Sequence, residues 1–115
     1  MLSPIINTLP LFEDSRGFFC NLSDNSLLLD QFSILEQKLS FSKEGTFRGL
    51  HLQKDPYAQG KIVQVMKGHI TDFCYNPETK ELFRFELNDK GNFYLYVPPG
   101  YAHGFIARED SKVLY

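Results

Sequence analysis

With 115 residues, 13.3 kDa and 43% hydrophobic residues, among them eleven Phe and six Tyr, the chain has material for one core and not two, so a single domain over 1–115 is expected. A formal charge of −2 and a pI near 5.9 supply no basic field, which argues against nucleic acid or an anionic membrane as partner. No apolar run is long enough to span a bilayer and Met1-Leu2-Ser3-Pro4 lacks the pattern of a secretory signal, so a cytoplasmic protein is expected.

Turn signals recur at short intervals: Asp14-Ser15-Arg16-Gly17, Lys43-Glu44-Gly45, Lys67-Gly68, Asn76-Pro77, Asn88-Asp89-Lys90-Gly91, Pro98-Pro99-Gly100 and Arg108-Glu109-Asp110. The segments between them predict strands at 17–21, 33–41, 46–53, 61–67, 69–75, 82–87, 92–97, 102–107 and 112–115. Only Asn25 to Gln31 reads as helical, for about two turns. Such short, frequently punctuated strands make an all-β sandwich or barrel. Cys20 and Cys74 are too few for a disulfide framework and lack CxxC spacing; both read as ordinary thiols, Cys74 inside the sheet.

Chemistry concentrates in three places. Along Thr46 to Gln53, strict alternation separates Arg48 from His51. Two placements of Arg48 follow: out into solvent, or, with a bulge at Gly49, onto the same rim as His51. From Lys61 to Cys74, a two-residue turn at Lys67-Gly68 predicts a hairpin pairing Met66 with His69 and Val63 with Asp72. That register puts Lys61, Val63, Val65, Ile70, Asp72 and Cys74 on one face. A lysine and an aspartate then share an apolar wall, where charge is tolerated only when paired or functional. His69 falls on the other face and is read as a solvent-facing histidine outside any site. The third place is Pro98-Pro99-Gly100-Tyr101-Ala102-His103, a tight turn delivering a strand. An imidazole titrates near neutrality and suits proton transfer, although a lone strand histidine is more often structural; the argument rests on His51 and His103 together with Lys61 and Asp72.

The Pro-Gly-x-x-His turn resembles the second motif of the cupin superfamily, whereas the first, a His-x-His with a glutamate, is not present: His51 is followed by Leu52 and Gln53. The resemblance therefore implies a cupin-type antiparallel jelly roll without the metal site, and no cofactor. A more specific likeness covers nearly the whole chain. Asp14-Ser15-Arg16-Gly17-Phe18-Phe19, Ser40-Phe41-Ser42, Gly45-Thr46-Phe47-Arg48-Gly49-Leu50-His51-Leu52-Gln53, Ala58-Gln59-Gly60-Lys61 and Pro99-Gly100-Tyr101-Ala102-His103-Gly104-Phe105 resemble, in order, the dTDP-4-dehydrorhamnose 3,5-epimerase family. That resemblance implies a cofactor-independent epimerase acting on a nucleotide-linked 4-keto-6-deoxy sugar. It makes His51 the base, Lys61 the group beside the O4 enolate and Tyr115 the acid, with Asp72 and His103 lining the same pocket. It further implies Arg48 on the diphosphate, Gln53 among the substrate-binding residues, and Arg16 and Phe19 on a segment donated to the neighbouring subunit of a homodimer.

The pattern is departed from in places. The family's chain continues beyond the position of Tyr115, to a second tyrosine and an aspartate that orients the base histidine. The glutamate that usually follows Arg-Gly-Phe-Phe-x is Asn21, and the glutamine and asparagine before Ser-x-Ser are Glu36 and Lys38. Three readings stay open: a sugar-nucleotide epimerase, a barrel that binds a sugar or nucleotide without catalysis, and an accessory barrel whose aromatic residues serve core and interface. Asp72 as a substitute partner for His51 is one further possibility.

Overall fold

The computed structural model describes residues 3–21, 36–91 and 93–115. Eleven strands run through them: β1 (Ile5–Thr8), β2 (Leu11–Asp14), β3 (Gly17–Cys20), β4 (Leu39–Ser42), β5 (Phe47–His51), β6 (Lys61–Lys67), β7 (His69–Tyr75), β8 (Leu82–Asn88), β9 (Phe93–Val97), β10 (Ala102–Ala107) and β11 (Ser111–Leu114). They form a five-stranded sheet in the order β1-β9-β6-β11-β4, a four-stranded sheet in the order β5-β10-β7-β8, and the separate ribbon β2-β3. Every pairing is antiparallel.

Alternation along the strands explains why the two larger sheets face each other. Val63 and Val65 of β6, Leu95 and Val97 of β9 and Val113 of β11 project from one sheet. Ile70 and Cys74 of β7, Leu87 of β8 and Phe105 of β10 project from the other and meet them in a shared core. Each fully buried aliphatic or Phe side chain contributes roughly 1.5–3 kcal/mol, so these strands are held mainly by the layer between them.

The expected hairpin from Lys61 to Cys74 does not form. β6 lies between β9 and β11, β7 lies between β8 and β10, and the chain crosses from one sheet to the other at Gly68. The physical reason lies in what the turn bonds to. Gly68 N donates to Asp89 Oδ2 at 2.9 Å, His69 N donates to Ser111 Oγ at 3.1 Å and His69 O accepts from Arg108 N at 2.9 Å, so both His69 groups that would pair with Met66 to close a hairpin are taken elsewhere. Gly68 has φ +96°, and a Cβ there would collide with Ser111 and the Asp110 carbonyl. The expected inward face nevertheless holds, because a chain that switches sheets keeps its apolar set toward the common interior. Val63, Val65, Ile70, Asp72 and Cys74 are all buried and Lys61 is half-buried. They confront one another across the sandwich instead of lying along one sheet.

Other differences are smaller. β1 and β2 were not anticipated; each is four residues long and set off by Pro4 and Pro10, too short for periodicity to declare. The strand expected at 33–41 is seen as Leu39–Ser42, with 36–38 irregular. Its first residues and the helix expected at Asn25 to Gln31 lie outside the described residues. His69 sits on the outer face, half-buried, with Nε2 2.7 Å from Glu86 Oε2.

Candidate active site between the sheets

Between the two sheets is a cavity of about 370 Å³. β5 and β10 line it with Arg48, Gly49, His51, His103, Gly104 and Phe105, and the opposite sheet lines it with Lys61, Val63, Val113 and Tyr115. The placement of Arg48 is decided by an irregularity in β5. His51 pairs with His103 and Arg48 with Phe105, so Gly49 and Leu50 together oppose the single residue Gly104. One extra residue turns an alternation that would separate Arg48 from His51 into one that sends both inward. Only glycine fits here: Gly49 has φ +122°, and the two backbones lie so close that a Cβ on Gly49 would stand 2.6 Å from the Gly104 Cα.

His103 and Asp72 form the buried centre of the polar cluster. His103 Nε2 lies 2.7 Å from Asp72 Oδ2, with relative side-chain exposures of 9% and 0%, which leaves neither group free to turn. Burial pushes the Asp72 carboxyl above the ordinary aspartate range, while the hydrogen bond from His103 acts the other way. A carboxylate in this position selects which ring nitrogen carries the proton and locks the ring plane. Asp72 is therefore the partner of His103 and not of His51. Among the described residues no hydrogen bond reaches the His51 ring. Cys74 Sγ lies 3.6 Å from Asp72 Oδ1, and burial raises its thiol pKa, so it is an inert floor residue.

Lys61 is held below the ordinary lysine value of 10.5, first by burial and then by the nearby Lys38 ammonium, with Asp72 opposing. Between its folded and unfolded pKa the unfolded chain binds more protons, so stability rises with pH through that window and the penalty is fully present below it. Lys61→Met is expected to stabilise the fold by roughly 1 kcal/mol at pH 7 and to flatten the rise toward alkaline pH. Urea melts at pH 7 and pH 9 check this; a variant less stable than the parent at pH 7 would refute it.

Tyr115 is fixed by its backbone. Lys38 N donates to Tyr115 O at 2.6 Å and Tyr115 N to Lys38 O at 2.8 Å, continuing the β4-β11 ladder, and the ring packs against the core. Arg48 is anchored by Nε to Ser42 Oγ at 2.7 Å and by Nη2 to Phe41 O at 3.0 Å. Ser42 was not singled out from sequence as part of the site. The signal was there in Ser40-Phe41-Ser42, whose alternation turns both serines inward.

Four expected site residues do not line the cavity: Asp72 is fully buried behind His103, to which it is bonded, and the other three stand further away. Gln53 is exposed in the segment after β5. Arg16 and Phe19 are on the β2-β3 ribbon, where Arg16 Nη2 bonds Asp14 Oδ2 at 2.6 Å and holds that carboxyl below its usual range. Phe12, Phe18 and Phe19 on this ribbon are 61%, 70% and 66% exposed, so the ribbon offers an apolar surface that the described residues leave uncovered. Among the described residues no three His, Cys, Asp or Glu side chains converge on a metal-sized site. None of their helices is long and apolar enough to cross a membrane.

Residues 4–115 match the dTDP-4-dehydrorhamnose 3,5-epimerase family. The chain belongs to that family. A dTDP-4-dehydrorhamnose 3,5-epimerase of Sinorhizobium fredii is 32% identical over 118 residues, covering 90% of this chain and 57% of the relative. The crystal structure of the epimerase from Sulfolobus tokodaii superposes with a TM-score of 0.89 at 36% identity, covering 97% of this chain and 68% of that one. That from Bacillus anthracis, solved with TDP and PPi bound, gives 0.87 at 33% identity, with 96% and 69% covered. The fold is thus the cupin-type jelly roll of the epimerase family, as the motifs implied. The chain spans 57% to 61% of the length of the first three curated relatives it matches.

Proposed function

We propose that this chain epimerises a nucleotide-linked 4-keto-6-deoxy sugar, dTDP-linked in the relatives' case, without a cofactor. The observation that carries the reading is the placement of His51 on one sheet and of Lys61 and Tyr115 on the other, all bordering one cavity. A sugar ring held between them meets a base on one face and an acid on the opposite one. His51 takes the proton from the carbon next to the ketone, the electron pair moves to O4, and the Lys61 ammonium stabilises the enolate. The Tyr115 phenol returns a proton from the far side, inverting the carbon; exchange with solvent resets both groups. His103, locked by Asp72, lines the same wall as His51. Arg48 offers its guanidinium to the diphosphate.

Incubation with a dTDP-4-keto-6-deoxyhexose in deuterated buffer tests this: deuterium is expected at C3, C5 or both. Folded protein that binds the sugar nucleotide and exchanges nothing at high enzyme concentration would instead establish a binding barrel. That no partner among the described residues reaches the His51 ring is the observation that favours that second reading, since an orienting carboxylate raises basicity.

The same reading makes the protein a cytoplasmic homodimer in which the β2-β3 ribbon of one subunit reaches the nucleotide site of the other. The exposed aromatic side chains of the ribbon support it. Mixing inactive Arg16→Ala and His51→Asn subunits is expected to restore up to about a quarter of the activity by pairing one intact site per mixed dimer. Mixtures that stay inactive although the subunits exchange would refute the swap.

A further inference from the structure

The amine of Lys61 stands in surroundings that suit covalent chemistry. It is half-buried on the cavity wall that Val63 and Val113 also line, and among the described residues no hydrogen bond or salt bridge reaches its Nζ. Lys38 lies on the same side of the same sheet. It exchanges both backbone hydrogen bonds with Tyr115, directly opposed residues of an antiparallel pair point to one face, and Tyr115 borders the cavity. Glu36 touches Lys38 at 3.2 Å, but that pair is exposed and the Lys38 charge is still felt at Lys61. The facing sheet brings Arg48, His51 and His103, and the carboxylate that opposes these cations, Asp72, is bonded to His103.

A lysine that is desolvated and set beside another cation is an activated nucleophile, because both features favour the neutral amine. The two protonation states of this nitrogen do different work. An ammonium stabilises an enolate by its charge, whereas a neutral amine bonds to a carbonyl carbon. The cavity of about 370 Å³ is open to a small carbonyl compound, and the Tyr115 phenol borders it as a proton source.

We propose that Lys61 has an activity besides its place next to an enolate: it captures small uncharged aldehydes and ketones as a Schiff base inside the cavity. The nitrogen lone pair bonds to the carbonyl carbon and the carbonyl pair moves to oxygen, which takes the Tyr115 proton; the surplus proton on nitrogen then restores the phenol. Protonated again from solvent, the hydroxyl leaves as water and the nitrogen lone pair closes the C=N bond of an iminium, so water is the only co-product. The carbonyl compound need not carry a nucleotide, and the activity stands independently of the function proposed above.

Incubating the full chain with acetone and cyanoborohydride at pH 7 tests this, since each capture is reduced to an isopropyl group that peptide mass spectrometry assigns to one lysine. Lys61 is expected to be marked about tenfold faster than Lys54 and Lys90, which are exposed. Lys38→Met is expected to slow the marking of Lys61 about threefold, whereas Lys38→Arg, which keeps the cation, should match the parent. The Lys38 side chain is exposed, and circular dichroism confirms that both variants fold. Marking of Lys61 no faster than that of Lys54 and Lys90 overturns the proposal, and so does a Lys38→Met variant that is marked at the parent rate. Deuterium exchange into a sugar nucleotide reads the epimerase and trapping reads the imine, so either can fail alone.

Discussion

His51→Asn is expected to lower the rate of solvent deuterium incorporation into a dTDP-4-keto-6-deoxyhexose by about 10²–10⁴-fold, the range attributed to a positioned general base. Asparagine approximates the shape of imidazole and keeps a hydrogen-bonding end, but it cannot accept and carry the proton. Binding should survive, because Arg48, although on the same strand, is held independently by Ser42 and the Phe41 carbonyl, and Lys61 stands on β6 of the other sheet. Calorimetry with dTDP and exchange followed by NMR separate the two effects. Exchange at the parent rate in His51→Asn would remove the histidine from the mechanism. An equal loss of binding and exchange would make it an anchoring group.

The second large effect is on stability. Gly49→Ala is expected to destabilise the protein by about 3–5 kcal/mol, combining a positive-φ penalty of about 1–3 kcal/mol with the collision of a new methyl group. That methyl group would sit 2.6 Å from the Gly104 Cα and 2.8 Å from the His103 carbonyl oxygen, both backbone atoms that cannot swing away. Relief requires β5 to lift off β10, which would carry Arg48 and His51 with it. The denaturation midpoint should fall with little change in slope, and any folded fraction should bind dTDP poorly. A variant within 1 kcal/mol of the parent would show that the two strands part more easily than their packing indicates.

What could be read from the residues depended on whether the cause was local. Alternation is local, so the inward set of Val63, Val65, Ile70, Asp72 and Cys74 was visible, and so was Lys61 as a charge on an apolar wall. Sheet membership is not local. Nothing within Lys61 to Cys74 reveals that Asp89 and Ser111, far along the chain, hold the Gly68 turn open. The same limit applies to partners. Asp72 and His103 are 31 residues apart, and only the β7-β10 pairing, with Asp72 opposite Phe105 and His103 opposite Cys74, brings the two side chains together. Sequence offered Asp72 to His51 as a possibility because it could not see that His103 was nearer. For Arg48 the two alternatives came from Gly49 alone, and the choice between them needed Gly104 on the opposing strand.

Arg48 also joins two strands that share no backbone ladder. β4 and β5 are edge strands of different sheets, and the guanidinium spans them through Ser42 Oγ and the Phe41 carbonyl. Two of its five N–H donors are occupied in this way, which leaves three for a ligand. The side chain would consequently meet the proposed phosphate with its rotamer already chosen, the loss of freedom having occurred on folding and not on association. With Arg48 on the diphosphate as proposed, seam and binding site would be one object: whatever loosens the junction of the sheets would blur the aim of the guanidinium, and a phosphate gripping it would fasten the sandwich along that edge.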